Sequence, residues 1–294
     1  MGFSGQVKKF DFSATATRSS VDDYETGSGE KYENTAIDEE NKVSLNLGYE
    51  FLPQNRIGIV YNLFDADRIG DPGTLEPSYY KDLNDYTDKS LESYDIKYDG
   101  GTQDGLFSWM ARYFRSEDKN TNYVVTNNIT TKDYESKTEP EGAQAQFTWD
   151  PANFRLTAGI DWISYDLTST STPEKSKYDN PSYYLLGKAD FFQKKLILDA
   201  GLRYDDYEFK ARKQDLKSEE DNLGPQFGLA YLPVDNLKLR AHYGEGFRMP
   251  SPGELAYDVN YYGVHYAGNP GLDPEQSRTY EVGMDFYYKS FDSS

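Results

Sequence analysis

The strongest constraint on this chain is a two-residue rhythm, broken by links that are short and long in strict turn. Leu156, Ala158, Ile160 and Trp162 alternate with Arg155, Thr157, Gly159 and Asp161. Leu196, Leu198, Ala200, Leu202 and Tyr204 alternate in the same way with Asp199, Gly201, Arg203 and Asp205, and Val43, Leu45, Leu47, Tyr49 and Phe51 with Ser44, Asn46, Gly48 and Glu50. Near the end, Tyr280, Val282, Met284, Phe286 and Tyr288 oppose Glu281, Gly283, Asp285 and Tyr287. Successive side chains of a β-strand point to opposite faces, so each run reads as a strand with one apolar and one polar face; helical spacing fits none of them. About twelve such strands follow one another along the chain.

Five links are tight and rich in turn formers, at 52–55, 99–105, 150–153, 193–195 and 233–236. Between them lie long charged segments at 18–41, 65–90, 116–141, 166–181, 208–225 and 245–276. In an up-and-down meander every second link emerges on the same side, so one rim carries turns and the other carries long loops, as in outer-membrane barrels. A polar stretch such as 25–42 resembles a linker, but its equivalents recur after every second strand, so the chain reads as one architecture without a domain boundary.

Alternation does not say which face meets water: a soluble sandwich turns its apolar face inward and a membrane barrel turns it outward. Aromatic residues collect beside the tight turns, at Tyr49, Phe51, Tyr98, Phe147, Trp149, Phe191 and Tyr231, where a membrane girdle would sit; packing at hairpin ends is the alternative reading. Lys238, Arg240 and His242 alternate with Leu237, Leu239 and Ala241, and three such groups on one buried face would be costly in a sandwich core. Mean hydropathy is −0.83, which on average suggests disorder, yet 16% of residues are aromatic, which a disordered chain cannot use. No window approaches the ~18 consecutive apolar residues of a membrane helix. A net charge of −19 disfavours nucleic acid. The absence of Cys removes thiolate and disulfide chemistry, and the first residues, Met1-Gly2-Phe3-Ser4-Gly5, do not read as a signal peptide.

The stretch Leu237–Glu281 carries a more specific signal. Tyr243, Gly244, Gly246, Phe247, Arg248, Pro250, Ser251, Glu254 and Leu255 are followed by Gly268, Asn269, Pro270, Leu272, Pro274 and Glu275. These two ordered halves resemble TonB-dependent outer-membrane receptors, in which a strand ends in Tyr-Gly-x-Gly-Phe-Arg-x-Pro-Ser-x-x-Glu-Leu and an extracellular loop returns through Gly-Asn-Pro. A weaker likeness covers 56–73. The resemblance implies an all-β, antiparallel up-and-down transmembrane β-barrel, here contributing its strands to a larger barrel of about 22. It implies a plug domain too, which is not visible before Phe10, so residues 1–294 are expected to be a partial barrel, cut at both ends. An open sheet of this kind would leave unpaired edges facing lipid, so the fragment alone is not expected to insert.

The function implied is energy-coupled uptake of a scarce, bulky solute of the ferric siderophore, haem or cobalamin class. The partners implied are outer-membrane lipid, the TonB complex acting through the plug, and a small-molecule or metal-chelate substrate, with the protein a monomer in the outer membrane of a Gram-negative bacterium. A passive porin-like or adhesin-like barrel and a secreted soluble β-sandwich are the alternatives. Candidate substrate-loop residues are Tyr257, Tyr261, Tyr262, His265 and Tyr266, against a bland reading in which these rings pack on one another. Arg248, Glu254, Arg240 and Arg203 are candidates for the lumenal or plug-facing side, and an Arg248–Glu254 pair is weighed against a solvated loop contact. Asp65, Asp67 and Asp71 offer oxygen ligands suited to calcium, but their spacing misses the EF-hand pattern and favours a charged loop. No catalytic order of Ser, His and Asp and no phosphate-cradling loop is present, and neither a cofactor nor an enzyme activity is expected.

Overall fold

The structure, a computed structural model, describes residues 1–71, 84–171, 173–212 and 215–287. Tyr288, the closing Pro72-Gly73 of the weaker motif and part of the 65–90 segment lie outside the described residues. Thirteen strands form one antiparallel sheet. They are β1 (Gly2–Val7), β2 (Phe10–Val21), β3 (Ile37–Leu52), β4 (Asn55–Gly70), β5 (Tyr86–Gly101), β6 (Phe107–Thr126), β7 (Ile129–Trp149), β8 (Phe154–Ser169), β9 (Lys175–Phe191), β10 (Leu196–Ala211), β11 (Leu216–Val234), β12 (Leu237–Arg248) and, at the far edge, β15 (Glu275–Phe286). Each pairs with its neighbour in sequence, and only the last step, from β12 to β15, passes over other elements: α1 (Pro252–Ala256) and the hairpin of β13 (Asp258–Tyr261) and β14 (Val264–Ala267). The sheet is open, with β1 and β15 at its edges.

The apolar face of the strands is the exposed one. Leu45, Leu47, Ile59, Ile160, Leu198, Leu202, Leu229 and Leu239 all present substantial surface, and the fully buried apolar residues are few. Opposite them, Asp161, Ser182 and Asp205 are largely buried. The sheet curls around this polar face, because one cavity of about 830 Å3 is lined by residues from eight successive strands, from Met110 on β6 to Glu281 on β15. That arrangement is the reverse of a soluble sandwich.

On β10 the outward side is apolar from Leu196 through Leu198, Ala200 and Leu202 to Tyr204, and charged from Asp206 through Glu208 to Lys210. The apolar stretch matches the roughly 9–11 residues with which a tilted strand crosses a bilayer. On the inward side the order inverts: Arg203 and Asp205 sit low, while Tyr207 and Phe209 sit high. The girdle residues point outward beside the turns and pair as Phe51 with Tyr98, Phe107 with Phe147, and Trp149 with Phe154, at ring separations of 5.9, 5.6 and 5.6 Å.

The five expected tight links are all present, and a sixth, at Lys8-Lys9, joins β1 to β2. The opposite rim differs in detail from the expectation. The 116–141 segment is not a loop: β6 and β7 continue through it and meet at a two-residue turn, Asn127-Asn128, with both residues at positive φ. Most of 166–181 and 208–225 is also strand, so that β8 and β9 are joined by residues 170–174 and β10 and β11 by 212–215. These extensions stand above the apolar band, where the outward positions carry cross-strand ion pairs such as Arg115–Glu139, Lys137–Glu117 and Lys217–Glu208. Backbone ladder bonds hold a strand together whatever its side chains, so charge on the outer face does not end it.

Candidate functional site

The site lies at the loop rim, where β12 leads into α1. Ser251 caps the helix: its hydroxyl accepts from the Glu254 backbone N–H, and the Glu254 carboxylate accepts from the Ser251 N–H, with Pro252 in the first turn. The same carboxylate accepts from Arg248 at 3.0 and 3.1 Å, and the other edge of the guanidinium donates to Glu275 at 2.9 and 2.6 Å. Arg248 therefore joins the end of β12, the start of β15 and the helix between them through two fork-shaped contacts. Gly268 completes the joint. A Cβ there would lie 2.7 Å from the Leu255 carbonyl carbon, and the next residue, Asn269, donates its N–H to Glu254 O at 2.8 Å. The two halves of the sequence motif are thus two sides of one contact.

Arg248 and its Ser251 contacts hold the Glu254 carboxyl down to about 2, from an ordinary value of 4.5. A depressed carboxylate stabilises the fold above its unfolded pKa and loses that contribution as pH falls through the folded one. The clamp is therefore expected to be intact at pH 5 and above, and to open between pH about 4.5 and about 2. Limited proteolysis across 249–274 at stepped pH checks this. Glu254→Gln should be cut at neutral pH as readily as the parent is in acid.

Below the clamp, α1 packs inward on the top of β10. Leu255 and Ala256 close over Phe209 and Ala211, with Tyr178 and Leu216 alongside. A row of rings runs from Tyr165 through Tyr178 and Tyr207 to Phe247, with Tyr207 stacked on Phe247 at 5.1 Å. Lower still, a chain of polar contacts crosses six strands. Arg112 donates to Asp95 at 2.5 Å and to Gln144 at 3.2 Å; Gln144 donates to Asp161 at 3.3 Å; Arg203 donates to Asp161 at 2.8 Å, to Ser182 at 2.6 Å and to Asp205 at 3.0 Å. Arg203 is 39% exposed and faces an open cavity, so water screens these pairs; they fix side chains on the wall more than they stabilise it.

Above the clamp, β13 and β14 turn at Tyr262-Gly263, where φ is +48° and +77°. Positive φ at both central residues gives the hairpin turn whose twist matches its strands, and glycine takes the second position without steric cost. The turn lifts Tyr262 to 90% exposure, edge-on to Tyr261 at 4.4 Å. His265 Nε2 lies 2.8 Å from Asp258 Oδ1 across the same hairpin. Tyr257 caps the end of α1, and Tyr266 stands exposed on β14.

The structure thus brings together Tyr257, Tyr261, Tyr262, His265 and Tyr266 on one loop, and joins Arg248 to Glu254. Arg203 faces the cavity, as Arg240 faces the same side of the wall with Asp285 3.6 Å away. Asp65 and Asp67 do not form a loop site; they lie on β4, with Asp71 just beyond it, and among the described residues no group of three or more His, Asp or Glu is placed to hold a metal ion. Sequence reasoning missed Glu275 as the second partner of Arg248, although it closes the motif, and missed Asp161, Asp205 and Phe209.

Residues 164–294 match the family model described as TonB dependent receptor-like, beta-barrel. This part of the chain carries the sequence pattern of a TonB-dependent receptor β-barrel. Among curated proteins the chain is similar to heme/hemopexin utilization protein C of Haemophilus influenzae, 22% identical over 251 residues, which are 74% of this chain and 34% of the relative. It is also similar to the vitamin B12 transporter BtuB of Photobacterium profundum, 26% identical over 184 residues, 61% of this chain and 26% of that protein. Among solved structures, the Serratia marcescens hemophore receptor HasR, in complex with its hemophore HasA and heme, superposes with a TM-score of 0.76 at 19% identity over 96% of this chain and 47% of that one. The copper transporter OprC gives a TM-score of 0.80 at 13% identity over 97% of this chain and 48% of that one. The chain spans less than half the length of these relatives, and its thirteen-stranded sheet shares the fold of the corresponding part of their barrels. Members of the family are outer-membrane receptors of Gram-negative bacteria that bind small-molecule substrates and work with TonB.

Proposed function

We propose that this chain forms wall and outer mouth of a receptor that captures an iron porphyrin at the surface of a Gram-negative cell and passes it inward with energy delivered through TonB and a plug. The barrel works as a monomer surrounded by outer-membrane lipid. His265 carries the reading. One ring nitrogen donates to the Asp258 carboxylate, which fixes the tautomer and leaves the other as a lone-pair donor, the arrangement that suits an imidazole for a metal. On the other face of the same hairpin Tyr261 and Tyr266, with Tyr262 at its turn, offer exposed aromatic surface at the mouth.

Chemistry narrows the substrate within the scarce-chelate class. A siderophore surrounds its ferric ion with its own oxygens, and cobalamin supplies both faces of its cobalt, so neither leaves much for a protein imidazole. A porphyrin leaves two axial positions, and His is a common axial ligand of haem iron. Relatives described as heme or hemin receptors support this reading.

Hemin titration of the whole receptor, followed by its Soret band, tests it. His265→Ala should diminish the imidazole-ligated band and weaken capture at the mouth at least about tenfold, Asp258→Asn should weaken it about tenfold through the ligand's orientation, and Tyr261→Ala with Tyr262→Ala should weaken it without changing the band. Equal affinity in the parent and His265→Ala would sink the assignment.

A further inference from the structure

His242 stands on the inner face of β12, in register with Gly228 on one side and Glu281 on the other, and it lines the cavity of about 830 Å3. Its ring accepts and donates no hydrogen bond among the described residues, and neither does the Glu281 carboxylate opposite it on β15, whereas Arg203 and Glu245 of the same wall are engaged. The ring leans along its strand toward the loop rim. A Cβ built on Gly244 would lie 3.2 Å from His242 Cε1, the carbon between the two ring nitrogens, so the nitrogen-bearing edge points up the wall. Above it the wall carries no side chain at Gly244 and Gly224, and the space over Gly224 is clear, since a Cβ there would meet nothing nearer than 3.5 Å, while the Ser277 hydroxyl lies over Gly246. At the upper end of this bare strip stand Tyr207 and Phe247, stacked on each other.

We propose that His242 is a second, lumenal ligand for the iron porphyrin, on which the cargo rests after leaving His265. The inference rests on the haem reading of the mouth and adds to it a site on the route inward. A porphyrin whose iron bonds to an imbalanced, upward-leaning imidazole lies across the strand direction, with one edge against the bare glycine strip; any side chain at 244 would strike both ring and ligand. The cavity is large enough for a planar macrocycle, and its aromatic upper end gives apolar contact on the way down. The step is a ligand exchange: one Fe–N bond to His265 breaks, one Fe–N bond to His242 forms, and the iron keeps its oxidation state.

The test uses the whole receptor in detergent and hemin as the probe, with parent, His265→Ala, His242→Gln, Gly244→Val and the His265→Ala/His242→Gln pair. The parent is expected to take up two equivalents with imidazole-ligated bands. His265→Ala is expected to keep one, and the double variant to lose it, with at least a tenfold fall in affinity. His242→Gln should retain mouth binding and take up a single equivalent, and Gly244→Val, in which the imidazole is still present, should behave like His242→Gln. Retained heat-modifiable migration shows that each barrel is folded. If the parent binds a single equivalent that disappears with His265→Ala, the lumenal site is overturned and the mouth assignment stands. If the parent shows no imidazole-ligated hemin, both fall.

Discussion

Leu202→Arg is expected to destabilise the receptor barrel in a phospholipid bilayer by about 2–4 kcal/mol, while Asn222→Arg, on the opposite face of the next strand, costs no more than about 0.5 kcal/mol. Leu202 is 46% exposed in the outward apolar stretch of β10, and in a barrel set in a bilayer a guanidinium there must leave water for acyl chains. Asn222 lines the cavity and is in register with Asp205, so an arginine at 222 meets water and a carboxylate. Urea unfolding of the folded receptor in vesicles measures both. The asymmetry discriminates between architectures, because in a soluble sandwich the two costs would exchange places: the apolar face would be the core and the polar face would be bathed in solvent. A large penalty at 222 and a small one at 202 would remove the membrane assignment.

The lower half of each strand was legible in the sequence because two solvents act on it. Leu198, Ala200 and Leu202 on one side, where the barrel reading puts acyl chains, alternate with Asp199, Gly201 and Arg203 on the side that faces the lumen, so every step along the chain reverses polarity. Above the bilayer that contrast is gone. On β6 the outward residues become Arg115, Glu117 and Lys119 while the inward ones are Ser116 and Asp118, and a ladder between two polar faces has the composition of a loop. The 116–141 segment therefore reads as a loop, though β6 and β7 pair through it, with a gap at Ser116-Glu117 opposite Glu139-Pro140 and one register shift at Asn122-Tyr123. β1 escaped notice for a related reason: Gly2-Phe3-Ser4-Gly5-Gln6-Val7 has only two large apolar residues to set against the pattern.

At the site, what could be read was whatever the chain brings together over short distances. Arg248 and Glu254 lie within one turn of backbone, and their pairing follows once Ser251 starts a helix. Glu275 reaches the same guanidinium from 27 residues away, by way of a hairpin whose turn chemistry, Tyr262-Gly263, carried no obvious mark. The Asp95–Arg112–Gln144–Asp161–Arg203 chain was out of reach altogether, since it depends on the register of six strands. Alternation tells which face a residue takes; only register tells which neighbour it meets.

Phe209→Ala is expected to cost about 3–5 kcal/mol locally, the range for removing a buried ring from a site that cannot collapse around the loss. Phe209 is fully buried at the top of the inner wall, beneath Leu255 and Ala256, and α1 has only five residues with which to hold itself there. A helix that short has no stability of its own, so it depends on this floor and on the Arg248 clamp. The sheet does not depend on it: β10 keeps its full ladder to β9 and β11 whether or not α1 is docked. The loss should therefore appear as local opening, with amide exchange rising across residues 249–274 and unchanged through β9 to β11. Because α1 feeds directly into β13, the hairpin that presents His265 loses its fixed position at the same time, and hemin affinity should fall although no residue near the imidazole has changed. Phe209→Leu, which keeps most of the volume, should recover most of the protection and most of the affinity. If exchange rises while hemin affinity stays constant, the hairpin is held by Gly268 and the Arg248 clamp alone, and the packing of α1 on β10 serves the barrel rather than its substrate.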